Sequence, residues 1–461
     1  MKMLNTALAA TAMLAVAGPA AAQAADTQAR ALDIAKRAIA FRSVAGPGNQ
    51  TPQLAAYLKS VLVAGGFADR DVTVTPVDDT AYLIARWPGT DATAKPLVIS
   101  GHIDVVEAKP ADWQRDPFTA VVEKGYLYGR GATDMKLDAA IVIATLTAMK
   151  REGYRPRRDI VLEFSGDEET RMKTSALIAE QLKNAEMVVN IDGGGGRLSE
   201  GGTPEFATFQ GAEKTYADFE LTVTNPGGHS SEPRRANAIN QLSAAMVRIG
   251  DYRFPPQISP VTRTFFVEAA KHKTGSIAAA MRAFAADPTD ATAIETLAAD
   301  PAYVGQIGTT CVATMFDAGH ATNALPQRAT ANVNCRIFPG VKPADVMATL
   351  ARVAGDPAVT VRDVTEGSVA NDASPLRPDF VAAATRAMGK AYPGVPLFPS
   401  MSAGASDSMW FRYRNVPSYG ASPMFIKDSD NFSHGLNERT PIASIAPAIV
   451  YYRSLFADLS R

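Results

Sequence analysis

Three short apolar runs in this chain each stop abruptly at glycine or acid, and they constrain the fold more than any other feature. Leu97–Ser100 runs into Gly101-His102-Ile103-Asp104, and Asp159–Ser165 runs into Gly166-Asp167-Glu168-Glu169. Met187–Ile191 ends in Asp192 and a glycine run. Runs this short and apolar read as buried strands. A helical pattern lies between the first two: after the glycine-rich loop Gly129–Lys136, Leu137, Ile141, Thr145 and Ala148 turn one face inward, and Gly153 ends it. Strands alternating with helices predict a doubly wound α/β sheet. In such sheets functional groups gather beyond the carboxyl ends of the strands. His102, Glu168, Glu169 and Asp192 all stand there.

The remaining organisation is read around that frame. In residues 1–24, Lys2 is the only charge, Leu4–Ala17 is small and apolar, and Ala22-Gln23-Ala24 offers a cleavage site. This predicts a cleaved export signal, a periplasmic or secreted mature protein and no membrane attachment afterwards. Helical spacing follows over Thr27–Arg42, and Thr51 is expected to cap a second helix carrying Leu54, Leu58, Val61 and Leu62. A first part of a catalytic domain is placed at residues 25–210. The character changes near Gln210. Asp218–Thr224 alternates with period two, Ala238–Ile249 is helical, Thr309–Phe316 and Ala329–Phe338 are strand-like, Pro343–Val353 is helical and Val359–Val364 is a strand. That β-α-β-β-α-β order predicts an inserted α+β sandwich over 211–365, with a helical insertion at 264–308 inside it. Residues 366–461 then return to the first domain, with Val416–Gly420 as its last strand. A net charge of −1 and a pI near 6.6 leave no basic footprint, which excludes a nucleic-acid surface. Cys311 and Cys335 face each other if the hairpin turns near Asn323. They are a disulfide candidate, or else two buried thiols.

Read singly, the polar residues are unremarkable in kind: Asp134 is an ordinary helix cap and Glu168-Glu169 an ordinary solvated turn. Read together, His102, Asp134, Glu169, Asp192 and His434 supply two imidazoles and three carboxylates. If Asp134 bridges, each of two metals receives one histidine, one private carboxylate and one shared oxygen, as in a two-metal hydrolase. This donor set favours Zn²⁺, with Mn²⁺ or Co²⁺ as alternatives. Glu168 is then free to act as the general base.

In its motifs the chain resembles the dinuclear-zinc exopeptidases and amidohydrolases, the M20 metallopeptidases, which include glutamate carboxypeptidase, aminoacylase, a desuccinylase and carnosine dipeptidase. The resemblance rests on Gly101-His102-Ile103-Asp104, Gly129–Lys136, Gly166-Asp167-Glu168-Glu169, Gly228-His229-Ser230, Thr322-Asn323 with Cys335-Arg336, and Ser433-His434-Gly435. It implies that His102 and Asp192 hold one metal and Glu169 and His434 the other, with Asp134 between. Asp104 sits behind His102 and Glu168 is the base. It also implies that His229, Asn323 and Arg336 serve the oxyanion or the substrate carboxylate from a lid and dimerisation domain, which makes the chain a homodimer. Gly404 and Ser406 match a substrate loop. The expected reaction is hydrolysis of a terminal amide in a dipeptide or short peptide. The alternatives are deacylation of N-acyl amino acids and a non-catalytic binding protein. Asp192, where many carboxypeptidase-like members carry Glu, tilts the expectation toward peptides with a free amine. His320 beside Asn323 is a further departure, expected to be merely exposed.

Overall fold

The structure, a computed structural model, describes residues 19–430 and 432–461. The expected export signal therefore lies mostly outside the described residues; positions 19–24 open a first helix, Pro19–Ile39. No helix among the described residues is long and apolar enough to cross a membrane.

A mixed eight-stranded sheet organises the molecule. Its order is Val72–Val77, Thr80–Trp87, Ile160–Ser165, Leu97–His102, Met187–Leu198, Ser418–Lys427, Pro204–Glu213 and Leu397–Ser402. The Leu97–His102 strand runs parallel to both neighbours, with His102 level with Ser165 and Ser100 level with Asn190. The carboxyl ends of these three strands therefore open at one edge, as the alternating pattern predicts. Glycine at the first of those ends has a packing cause. A Cβ on Gly101 would come within 2.7 Å of the Met135 methyl, so a side chain there would displace Met135 from its place against the strand.

The helix Lys136–Arg151 departs from the one-faced expectation. Every residue from Lys136 to Met149 is buried, because the helix packs between the Pro19–Ile39 and Ile445–Leu459 helices and the sheet. A helix apolar all round belongs in an interior. Two capping expectations also change. Thr51 is the first helical residue rather than the cap, and Asn49 Oδ1 accepts from its N–H and its hydroxyl at 2.9 and 2.6 Å. Met135, not Asp134, is the residue before the long helix, and no side chain caps it. The strand expected to end at Ile191 continues through the glycine run to Leu198.

A second, antiparallel sheet has the order Thr310–Ala318, Arg328–Ile337, Thr215–Thr224 and Thr360–Asp363. Thr215–Thr224 alternates buried and half-buried along its length, as the period-two reading requires. Helices Ala238–Asp251 and Pro343–Ala354 cover one face, and the resulting core is separate from that of the main sheet. Cys311 and Cys335 are directly opposed across this sheet and form a disulfide. The helical segment after Pro260 does not pack into this second core. Phe266, Phe284 and Leu297 form a cluster with Phe398 of the main sheet's edge strand. The segment thus packs its apolar side chains onto the main sheet at its last strand.

Candidate metal centre

Six side chains from five separate stretches converge beyond the sheet. His102 ends its strand, Asp192 extends from the neighbouring strand, and Glu168 and Glu169 follow the strand Ile160–Ser165. Asp134 comes from the loop before the buried helix, and His434 from the loop before the last one. His102 Nε2 lies 3.0 Å from Asp134 Oδ1 and 3.7 Å from Asp192 Oδ2. His434 Nε2 lies 3.2 Å from Asp134 Oδ2 and 2.9 Å from Glu169 Oε2. Asp134 thus turns one oxygen to each imidazole, which is why it is unavailable as a helix cap.

Two donor triads result, His102-Asp134-Asp192 and Asp134-Glu169-His434, and the ligand atoms within each lie within 4.8 Å of one another. Glu168 completes a third grouping with His102 and Glu169. Burial pushes the carboxyls of Glu168 and Asp192 well above their usual range, and that of Glu169 upward. For Asp134 burial acts the same way, but hydrogen bonds with His102 and His434 outweigh it and hold the carboxylate low. Those with Asp134 and Glu169 in turn lift His434 to about 10. Burial alone would lower His102, yet the Asp192 charge and the bonds to Asp104 and Asp134 carry it well above an ordinary imidazole. Crowded buried carboxylates whose ion-pair partners among the described residues are imidazoles form a donor set that divalent cations would relieve. The residues present fit a metal pair.

Two acids hold this arrangement. Asp104 accepts the Glu168 and Glu169 N–H groups at 3.1 and 3.0 Å. Its backbone oxygen faces His102 Nδ1 at 3.1 Å, which leaves Nε2 pointing at Asp134. The second, Glu438, has no expectation attached to it from the sequence. Its carboxylate accepts from Gly131, Thr133 and Asp134 N–H at 3.1, 2.6 and 2.9 Å and from Arg130 Nη1 at 2.7 Å. It pins the Asp134 loop to the loop that carries His434. The Asp134–Met135 peptide is cis.

The other expected site residues divide. Arg336 and Gly404 line a cleft of about 380 Å³ together with Glu168, Asp134, Asp192 and His434. Arg336 stacks over the Tyr216 ring at 4.8 Å. Ser406 turns the other way: its hydroxyl donates to the buried Glu213 at 2.7 Å, so the substrate role expected of it is not what its placement supports. His229 and Asn323 are exposed and close to each other, with Ser230 N–H donating to Asn323 O at 3.0 Å, and neither lines this cleft. His320 is exposed, and His272 packs on Phe206 with ring centroids 5.1 Å apart.

Comparison with known proteins decides the family. The sequence profile of peptidase family M20/M25/M40 matches residues 98–458. The chain belongs to this family. Among curated relatives, the N-fatty-acyl-amino acid synthase/hydrolase PM20D1 of Xenopus tropicalis is 28% identical over 80% of this chain and 73% of its own length. Among solved structures, an M20 family metallo-carboxypeptidase from Sulfolobus solfataricus superposes with a TM-score of 0.70 at 20% identity, covering 93% of this chain and 99% of that one. A dinuclear metal binding M20 peptidase from Bacillus subtilis gives 0.60 at 14% identity, covering 95% and 98%. This M20 chain is thus a peptidase or amidohydrolase on the α/β scaffold expected from its strand ends.

Proposed function

We propose that this M20 chain hydrolyses an amide bond beside a free carboxylate, in a short peptide or an N-acyl amino acid, using two metal ions and Glu168. The observation that carries the reading is the pair of donor triads sharing Asp134, with the Glu168 carboxyl beside them at the cleft. A zinc pair held there by His102 and Asp192, Glu169 and His434, with Asp134 between, would polarise the scissile carbonyl and acidify the attacking water. Glu168 takes the proton from that water and returns it to the leaving amine. Its burial suits this work, since a carboxyl raised well above the ordinary carboxylate range can both accept and give back a proton. Asp104 fixes where Glu168 stands through the backbone of its turn. Arg336 offers a guanidinium to the substrate carboxylate from the far wall of the cleft.

The names of relatives support both substrate readings: a carboxypeptidase on the structural side and an N-fatty-acyl-amino acid hydrolase on the sequence side. His229 and Asn323, placed off this cleft, are read as contributing to the site of a second copy in a homodimer. Residues 1–24 are read as a cleaved export signal, so the protein recovered from the periplasm should begin near Ala25. The mechanistic test is Glu168→Gln: metal content stays at two per chain and kcat falls at least ~100-fold, the low end for loss of a general base. A variant that keeps full turnover would refute the assignment.

A further inference from the structure

A second cavity, of about 510 Å³, shares Asp192 as a wall residue with the catalytic cleft. Its near end is formed by Thr133 and Ser433, the residues adjoining Asp134 and His434. From there it extends beneath the helical segment, with Phe265 and Ala269 of the helix Pro260–Ala269 and Tyr303 on its wall. The main sheet supplies the opposite side through Ile191, Phe206, Met424 and Ile426. Phe206, Phe265, Met424 and Ile426 are all only partly buried. They are large apolar side chains left incompletely covered around one internal space, in a volume within the ordinary range for a small-ligand pocket.

Away from Asp192, the buried side-chain polar atoms on this wall already have partners. Asp138 is the buried carboxyl there, and both its oxygens are taken, one by Ser422 at 2.6 Å and one by Tyr452 at 2.9 Å. Arg197 pairs with Asp428 at 2.5 Å and with Glu205 at 3.2 Å. Lys273 and Lys427 reach solvent. Among the described residues, no side chain lining this cavity leaves a buried polar atom without a partner. A peptide laid here would bury N–H and C=O groups with few partners free to meet them, at a cost a hydrocarbon chain does not incur.

We propose that this cavity is an acyl-chain pocket, and that the preferred substrate is an N-acyl amino acid with an unbranched chain of six or more carbons. The inference rests on the amide-hydrolase reading and selects within it. The two cavities then divide one substrate. The amino-acid carboxylate lies on the Arg336 side, the tail lies under the helical segment, and the amide crosses the metal centre at Asp192.

The test is a series of N-acetyl, N-hexanoyl and N-decanoyl amino acids, run beside dipeptides of the same carboxyl-terminal residue. Each methylene entering an apolar site contributes about fourfold, so kcat/KM should rise at least ~100-fold from acetyl to decanoyl. Met424→Trp narrows the cavity and should lower the decanoyl-to-acetyl ratio at least ~20-fold, with melting temperature and metal content measured as folding controls. As a readout independent of turnover, the Glu168→Gln protein should bind N-decanoyl amino acid tighter than N-acetyl by calorimetry, with a negative heat-capacity change. A flat chain-length series, or a Met424→Trp ratio equal to wild type, overturns the acyl pocket. So does activity on dipeptides with none on acyl substrates, which would leave the amide-hydrolase reading intact. Inactivity of the metal-loaded chain on every substrate would instead overturn the amide-hydrolase reading, and the pocket with it.

Discussion

Replacing Glu438 should cost more than replacing any metal ligand, although it touches no metal position. Its carboxylate accepts three backbone N–H groups of the Asp134 loop and the Arg130 guanidinium, and both charged side chains are buried. In Glu438→Ala each orphaned N–H costs about 1–3 kcal/mol. Stranding the Arg130 charge costs about 3–5 kcal/mol more. Water entering the gap offsets part of this, so the expected loss is ~4–6 kcal/mol, a large share of the 5–15 kcal/mol typical of a folded protein. Glu438→Gln is the sharper test. Its amide oxygen can keep the Thr133 and Asp134 N–H groups, but its NH₂ then meets Gly131 N–H and Arg130, donor against donor. About 3 kcal/mol is expected, and with an unfolding entropy of about 2.1 cal/mol/K per residue a chain of 461 residues shifts its Tm by about 1 °C per kcal/mol. Calorimetry should therefore show a Tm lowered by roughly 3 °C, and zinc titration a weaker metal affinity. The double variant Arg130→Met/Glu438→Leu separates the two effects. It removes both charges and should recover stability, while the Asp134 loop stays untethered and metal affinity stays low. A Gln variant with wild-type Tm and wild-type zinc affinity would refute the reasoning.

Further expectations follow from the electrostatics of the site. Below about pH 10 the metal-free His434 holds a proton, and metal can bind only after that proton leaves. Zinc affinity should thus fall as pH falls, and titrations at pH 7 in buffers of different ionisation enthalpy should report release of at least one proton; zero release would contradict the His434 assignment. Arg336→Met should raise KM ~10–100-fold for substrates with a free carboxylate and leave carboxamide analogues unchanged, where an equal effect on both would remove the guanidinium from substrate binding. Asp104→Asn should lower kcat while keeping its backbone contacts in part, and a smaller loss than that of Glu168→Gln is expected because it acts through the turn.

The strand ends were legible because each places its chemistry next to its own apolar run. Pattern and function coincide locally at His102, Glu168, Glu169 and Asp192. Leu397–Ser402 escaped because Pro399 interrupts it, and it tolerates proline because it is the last strand of the sheet. The run Gly193–Gly196 read as loop, yet it pairs with Ala207 and Thr208 on one side and with Ser422 and Phe425 on the other. The side-chain-free Gly196 leaves room for the Phe425 ring. Glu438 was invisible for a different reason. Its partners lie more than 300 residues away in sequence, and an acid that caps a distant loop carries no local pattern. Ser406 failed the opposite way: its motif matched, but the hydroxyl answers a buried acid, Glu213, that the motif does not contain.

The division of donors makes Asp134 unlike the other four. His102 and Asp192 belong to one triad and Glu169 and His434 to the other, so losing any one of them leaves the second triad complete. Asp134 gives Oδ1 to the first and Oδ2 to the second. Its removal leaves each metal position with one imidazole and one carboxylate, and it also leaves Asp192 and Glu169 facing each other's charge across an emptied centre. Asp134→Ala should therefore bring the metal content below one ion per chain, whereas His434→Ala should bring it to about one. Elemental analysis after dialysis against a weak chelator distinguishes them. If Asp134→Ala retains one tightly held ion, the two triads do not share their ligand, and the centre is two adjacent sites rather than one coupled pair.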